Sequence, residues 1–221
     1  MRGVSTFLGL SLVLTAVPLF AEEAGKVQLG IELPEPYFGG TPLDYFGPNL
    51  EEPNYKPRPP FMVPEGTENV AKGKTVTASS ATQFGDVAML VDGDKSYKDE
   101  SLLGLDRGHQ WIQIDLGAAY EIYAVLFWHF HQGDRVYFDV AIQVADDAAF
   151  TQNVRTIFNN DHDDTAGMGA GKDKEYIENY RGKFFDAGGV KARAIRFLSK
   201  GNTTDDFNHY VEAEVFGKPA E

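Results

Sequence analysis

The sequence predicts an all-β protein whose body, residues 69–217, is an antiparallel β-sandwich. Three observations predict it. Short runs alternate apolar and polar residues with a period of two. Turn-forming groups (DGD, LGAAY, HQGD, AGG) separate those runs. No stretch carries helical apolar spacing over three turns, and there is no internal repeat.

In chain order, the first 21 residues have Arg2 as a basic start, a mostly apolar span over 4–20, and Ala21 followed by acids. This pattern reads as a secretory signal peptide, with an uncleaved membrane anchor as the alternative. Pro18, the short span and the acidic flank argue against the anchor. Residues 22–68 hold every proline except Pro18 and Pro219, in pieces such as LPEP and KPRPP, and read as an extended leader. The leader also carries Tyr37, Phe38, Tyr45, Phe46, Tyr55 and Phe61, too many aromatics for a purely flexible linker, so part of it is expected to lie along the domain surface.

The strands follow. In WIQIDLG, Ile112, Ile114 and Leu116 share one face. EIYAVLFWHFH is apolar on both faces, as a central strand covered on both sides should be. VYFDVAIQV places Val136, Phe138, Val140, Ile142 and Val144 on one face. RAIRFLS is a further strand. YVEAEVFG turns Val211, Ala213 and Val215 inward and Glu212 and Glu214 outward, and residues 218–221 form a short tail.

The charge narrows the function. The chain has 33 acids against 20 bases, a formal charge of −13. Nucleic acid and anionic lipid need clustered cations, so both are disfavoured as partners. Without cysteine there is no disulfide, no thiolate metal site and no cysteine nucleophile. Export without cysteine fits a bacterial envelope or extracellular protein.

The ordered set NVAKGKTVTASS, LVDGDKS, QWIQIDLG, EIYAVLFW, DVAIQVADDAAF, ARAIRFLS and VEAEVFG resembles the discoidin, or coagulation factor V/VIII C-type, superfamily, which includes family 32 carbohydrate-binding modules. The resemblance covers residues 69–217 and implies a galactose-binding-like jelly roll. It also implies a structural calcium ion in the DGD turn, held by the Met89 carbonyl, Asp92, Asp94, the Val211 carbonyl and Glu212. The family's threonine and tryptophan after the turn are absent; Ser96 and Tyr97 stand there, leaving the sixth ligand open. The alternative is a solvated turn without an ion. Arg193 and Arg196 match the family's A-R-Y-V-R strand and are expected to bridge outward-facing carboxylates.

The stretch NNDHDDTAGMGAGKDKEY, residues 159–176, is not a phosphate loop: Ala166 stands at the first glycine position, Asp173 replaces the Ser/Thr, and no helix follows. It reads as a long loop, either a place where a binding site is built or a solvated acidic connection. The resemblance implies a ligand face in loops at one end of the sandwich, for which this chain offers His129, His131, Arg135, Tyr137, Asn160, His162 and Asp163. The expected function is non-catalytic carbohydrate recognition. The alternatives are an adhesion domain that binds a cell-surface or matrix protein, and a metal enzyme built on a cluster of His129, His131, His162 and Asp163, with His209 as a further possible imidazole ligand. No G-x-S-x-G elbow exists. Asn202 begins an N-T-T sequon, relevant only to a eukaryotic secretory route.

Overall fold

The computed structural model describes residues 25–37, 45–54 and 56–220. The expected signal peptide, Phe38 and Tyr55 lie outside them. Among the described residues ten strands follow one another: β1 (Lys26–Gln28), β2 (Met62–Pro64), β3 (Glu68–Asn69), β4 (Thr75–Ala78), β5 (Leu103–Leu105), β6 (Gln110–His129), β7 (Ala141–Ala145), β8 (Arg155–Asn159), β9 (Lys183–Ser199) and β10 (Asn208–Pro219). Two short 3₁₀ turns, Val87–Val91 and Asp99–Ser101, lie between β4 and β5. Every strand pairing is antiparallel.

β6 and β9 are long because each serves both layers. The first half of β6 pairs with β4 and with the end of β9, which in turn pairs with β7, and β7 with β8. Its second half pairs with β10 and with the start of β9. The ladder breaks between Asp115 and Tyr120, where Gly117 takes a φ of 84° that favours glycine. There the strand turns from one layer into the other. Ile112, Ile114, Leu116, Ile142, Val144, Ile195 and Phe197 of the first layer meet Ile122, Val125, Phe127, Phe185, Ala213 and Val215 of the second in one core. The sandwich read from the alternation is the fold.

The strand register departs from the simple pattern at two places. Val136–Val144 is not one strand: Asp139 has a φ of 51°, the ladder begins only at Ala141, and Tyr137 turns into the core while Phe138 is half-buried beside Tyr45. In β10 a bulge between Tyr210 and Glu212 puts Val211 on the opposite face from Ala213 and Val215. Glu212 and Glu214 are not solvated; both are buried. The tail is strand too, with Lys218 and Pro219 paired to Glu121 and Tyr120.

Glu212 is closed in by Gly93 and Glu214 by Lys95, and the leader covers the apolar residues around them. The outer face of the second layer carries Ala124, Leu126, Trp128, Phe130, Val211 and Phe216. Leu29 and Val63, from the β1–β2 hairpin, close over it, flanked by Ile31 and Phe61. Farther along, Arg58 donates to the carbonyls of Arg181 and Gly182 and lies over Phe184, and Leu50 bridges in parallel to Glu175. The second apolar face of EIYAVLFWHFH is thus covered by the chain's own leader. Each buried Leu or Val contributes about 1.5–3 kcal/mol, so removal of residues 22–64 is expected to lower the Tm by at least about 10 °C. A thermal melt of the truncated protein checks this, and an unchanged Tm would contradict the packing role.

The two arginines behave differently. Arg193 makes a bidentate pair with Asp115, 2.9 Å at each contact, and holds that carboxyl below its ordinary range. Arg196 bridges no carboxylate. It donates to Gln113 Oε1 and lies between the rings of Trp111 (4.1 Å) and Phe150 (4.0 Å). Gln113 replaces the acid this expectation required, and the two rings supply the attraction instead.

Candidate functional site

One rim of the sandwich gathers four connections: residues 79–86, 106–109, 130–140 and 200–207. Backbone hydrogen bonds tie them, Gln83 to Gly104, Phe138 to Gly201 and Thr203 to Val136. Asn208 is the hub. Its Oδ1 accepts from Ser199 Oγ and Gly201 N, and its Nδ2 donates to the carbonyls of Asp106 and Gly108, so a buried amide satisfies itself by holding two of the loops to the end of β9. The same contacts answer the sequon: Asn202 is buried, with its Nδ2 donating to Asp205 and to the Phe207 carbonyl.

Three rings run across this rim. Phe84 is 42% exposed, an unusual state for a phenylalanine, yet it is fixed. Its ring lies flat on Gly104, where a Cβ would fall 2.6 Å from Cε1 and 2.7 Å from Cε2. Its other neighbour is His209, ring centroids 5.7 Å apart, and beyond that imidazole lies Phe207 at 6.4 Å. His209 forms the floor: its Nδ1 is 3.1 Å from the buried Tyr137 hydroxyl and its Nε2 faces Asp205 at 3.8 Å. Beside the rings, Arg135 lies over Phe130 at 4.9 Å and reaches Asp205 Oδ2 at 3.3 Å. The exposed ring of Phe84, near a donor–acceptor pair, can stack on a C–H surface while that pair bonds neighbouring hydroxyls.

Burial pushes the His209 imidazole down from 6.5 to about 4. Because the folded value is depressed, the unfolded chain binds the extra proton between those two values. Stability should therefore fall as pH drops from 6.5 toward 4, by about 3 kcal/mol in all. Denaturant melts across that window check this, and His209→Gln should flatten the slope.

The residues read from sequence divide. Arg135 stands on the rim. His129 and Tyr137 do not face ligand: both are buried and stack on each other at 4.1 Å, with His129 Nδ1 bonded to buried Glu178 at 2.7 Å. His131 is buried against the Lys95 carbonyl, 3.0 Å away. Asn160 is buried, with its Oδ1 accepting from Val140 N. Half-buried His162 and exposed Asp163 belong to the 159–176 loop, which folds on itself: Asp161 accepts from the amides of Thr165 and Ala166, and Gly171 N donates to the Asp161 carbonyl. The imidazole metal cluster does not form. Among the described residues, the convergent group of three is Asp139, Asp161 and Asp163, and Lys200 already sits 3.2 Å from Asp139.

The DGD turn lies against the last strand. Glu212 is fully buried; its Oε2 accepts from Gly93 N at 3.1 Å, while its Oε1 is buried without a partner. Burial, with Asp92 and Glu214 adding repulsion, pushes its carboxyl up to about 9. Asp94 departs from the set: its carboxylate is engaged by Ser96 N and by Ser101 Oγ at 2.7 Å. Sequence reading missed Phe84 and Phe207, which lie outside the periodic runs, and the role of His209, which stands at the very start of one. The one available signal was an aromatic in each of two turn-rich connections.

No protein-family model matches the chain, and no curated protein matches it. Solved structures do. A family 89 glycoside hydrolase from Clostridium perfringens, in complex with 2-acetamido-1,2-dideoxynojirmycin, matches 68% of this chain at 24% identity and a TM-score of 0.52; the chain spans 15% of that enzyme's length. The CBM32 of AlyQ in complex with 4,5-unsaturated mannuronic acid matches 64% of this chain and 93% of its own at 20% identity, TM-score 0.48. Chitosan-binding module 1 from a Paenibacillus sp. IK-5 chitosanase/glucanase matches 68% and 99% at 21% identity, TM-score 0.45. With identities this low the likeness is one of fold: the chain has the galactose-binding-like β-sandwich that its sequence resembles.

Proposed function

We propose that this chain is an exported, non-catalytic carbohydrate-binding module that takes a sugar on the rim formed by Phe84, His209 and Phe207. Arg135 and Asp205 supply the donor and acceptor for its hydroxyls. The observation that carries the reading is Phe84: an exposed ring immobilised on Gly104 and His209 offers a preformed stacking surface. The fold likeness supports it, since relatives of this shape include sugar-binding modules. A glycan array probed with the mature protein, with and without EDTA, tests it. Binding to a defined glycan class supports the reading. Silence on the array, with capture of a matrix or cell-surface protein, favours the adhesion alternative.

A calcium ion in the DGD turn belongs to the same proposal. The unpartnered buried oxygen of Glu212 beside Asp92 is what such a cation would satisfy. Asp92 and Glu212 would hold it with the carbonyls of Met89 and Val211, while Asp94 keeps the turn closed through Ser96 and Ser101. The ion would supply charge neutralisation and rigidity, with no part in chemistry.

A further inference from the structure

We infer that the sugar recognised on this rim is anionic, a uronate whose carboxylate is taken by Arg107; the inference rests on the rim being the sugar site. Every other described arginine donates a hydrogen bond through its guanidinium: Arg58 and Arg181 to carbonyls, Arg135, Arg155 and Arg193 to carboxylates, Arg196 to Gln113. Arg107 alone among them donates none. It is exposed, and its guanidinium lies over Phe207 at 4.9 Å, at the end of the row that begins with Phe84.

The acids around it leave it free. Asp106 turns one oxygen back to the Arg107 amide at 2.8 Å. Asp205 accepts from Arg135, Asn202 and Phe207 N and makes no ion pair with Arg107. Asp206 is exposed on the neighbouring connection and makes no ion pair with Arg107. Stacking on Phe207 holds the guanidinium plane at the rim, and a planar fork of donors matches a carboxylate in two parallel bonds. The ring row then takes the sugar body and Arg107 its acid group. The chain's overall negative charge does not oppose this at short range, since fields beyond about 8 Å are screened at physiological salt.

The test is isothermal titration at 0.15 M salt with trigalacturonate, trimannuronate and a neutral galactotriose, on the parent, Arg107→Gln and Arg107→Lys. A charge-assisted bidentate contact predicts at least a tenfold preference for a uronate trimer over the neutral one. That ratio should fall near one in Arg107→Gln and be intermediate in Arg107→Lys, which keeps the charge but loses the fork. Equal affinity for the neutral and acidic trimers, or a preference that survives Arg107→Gln, overturns the inference and leaves the sugar site standing. A preference for sulfated galactan oligosaccharides over all three also overturns it. Failure of every saccharide overturns both. Unchanged melting of the variants excludes misfolding as the cause.

Discussion

Glu212→Gln should make the calcium-free protein more stable at pH 8 and should abolish any stabilisation by calcium. Glu212 is fully buried in the last strand, against Gly93 and beside Asp92, with one oxygen unpartnered. Its carboxyl is pushed up to about 9, against an ordinary value near 4.5, with burial the main cause. The folded state therefore binds a proton that the unfolded chain releases, and stability falls as pH rises from 4.5 to 9. At pH 8 the accumulated cost is on the order of 3–5 kcal/mol. An amide escapes it: its oxygen can still accept from Gly93, and its NH₂ takes the orphaned position. A bound cation relieves the same cost by favouring the carboxylate, so the parent should gain Tm with calcium, and gain more at pH 8 than at pH 5. Urea melts of both proteins in EDTA and in calcium check this. A variant less stable than the parent in EDTA, or one that responds equally to calcium, would remove the ion from the account.

Gly104→Ala should leave the fold intact and remove glycan binding. Gly104 needs no left-handed conformation, so alanine suits its backbone, but the new methyl would occupy the place of the Phe84 ring. Phe84→Ala removes the ring outright. Loss of a central stacking contact is expected to cost about 2 kcal/mol or more, roughly thirtyfold in affinity. Both variants should melt within a few degrees of the parent. If Gly104→Ala binds as the parent does, Phe84 is not the platform.

Much of the fold was legible because its signal is local. Ile112, Ile114 and Leu116 alternate, and the doubly apolar run 121–131 announced a strand covered twice; the cover proved to be the leader, whose six aromatics hinted at docking. The errors came where the backbone breaks period. Asp139 adopts a positive φ and the Val211 bulge flips a face, and neither event is written in an apolar/polar pattern. The site was harder to read. A histidine looks alike in sequence whether it lines a groove or seals a core, and His129 seals one through Tyr137 and Glu178. Conversely, Phe84 reads as core material and becomes a surface only because Gly104 leaves it a flat seat. Both outcomes depend on contacts between residues distant in sequence.

The most direct test is amide chemical-shift mapping of ¹⁵N-labelled protein during titration with the glycan selected on the array. The account predicts perturbations grouped at Phe84, Gly104, Arg107, Arg135 and Asp205–His209. Shifts centred instead on Asp139, Asp161 and Asp163, or on the groove where Glu32–Glu35 meets Gly93–Lys98, would contradict it.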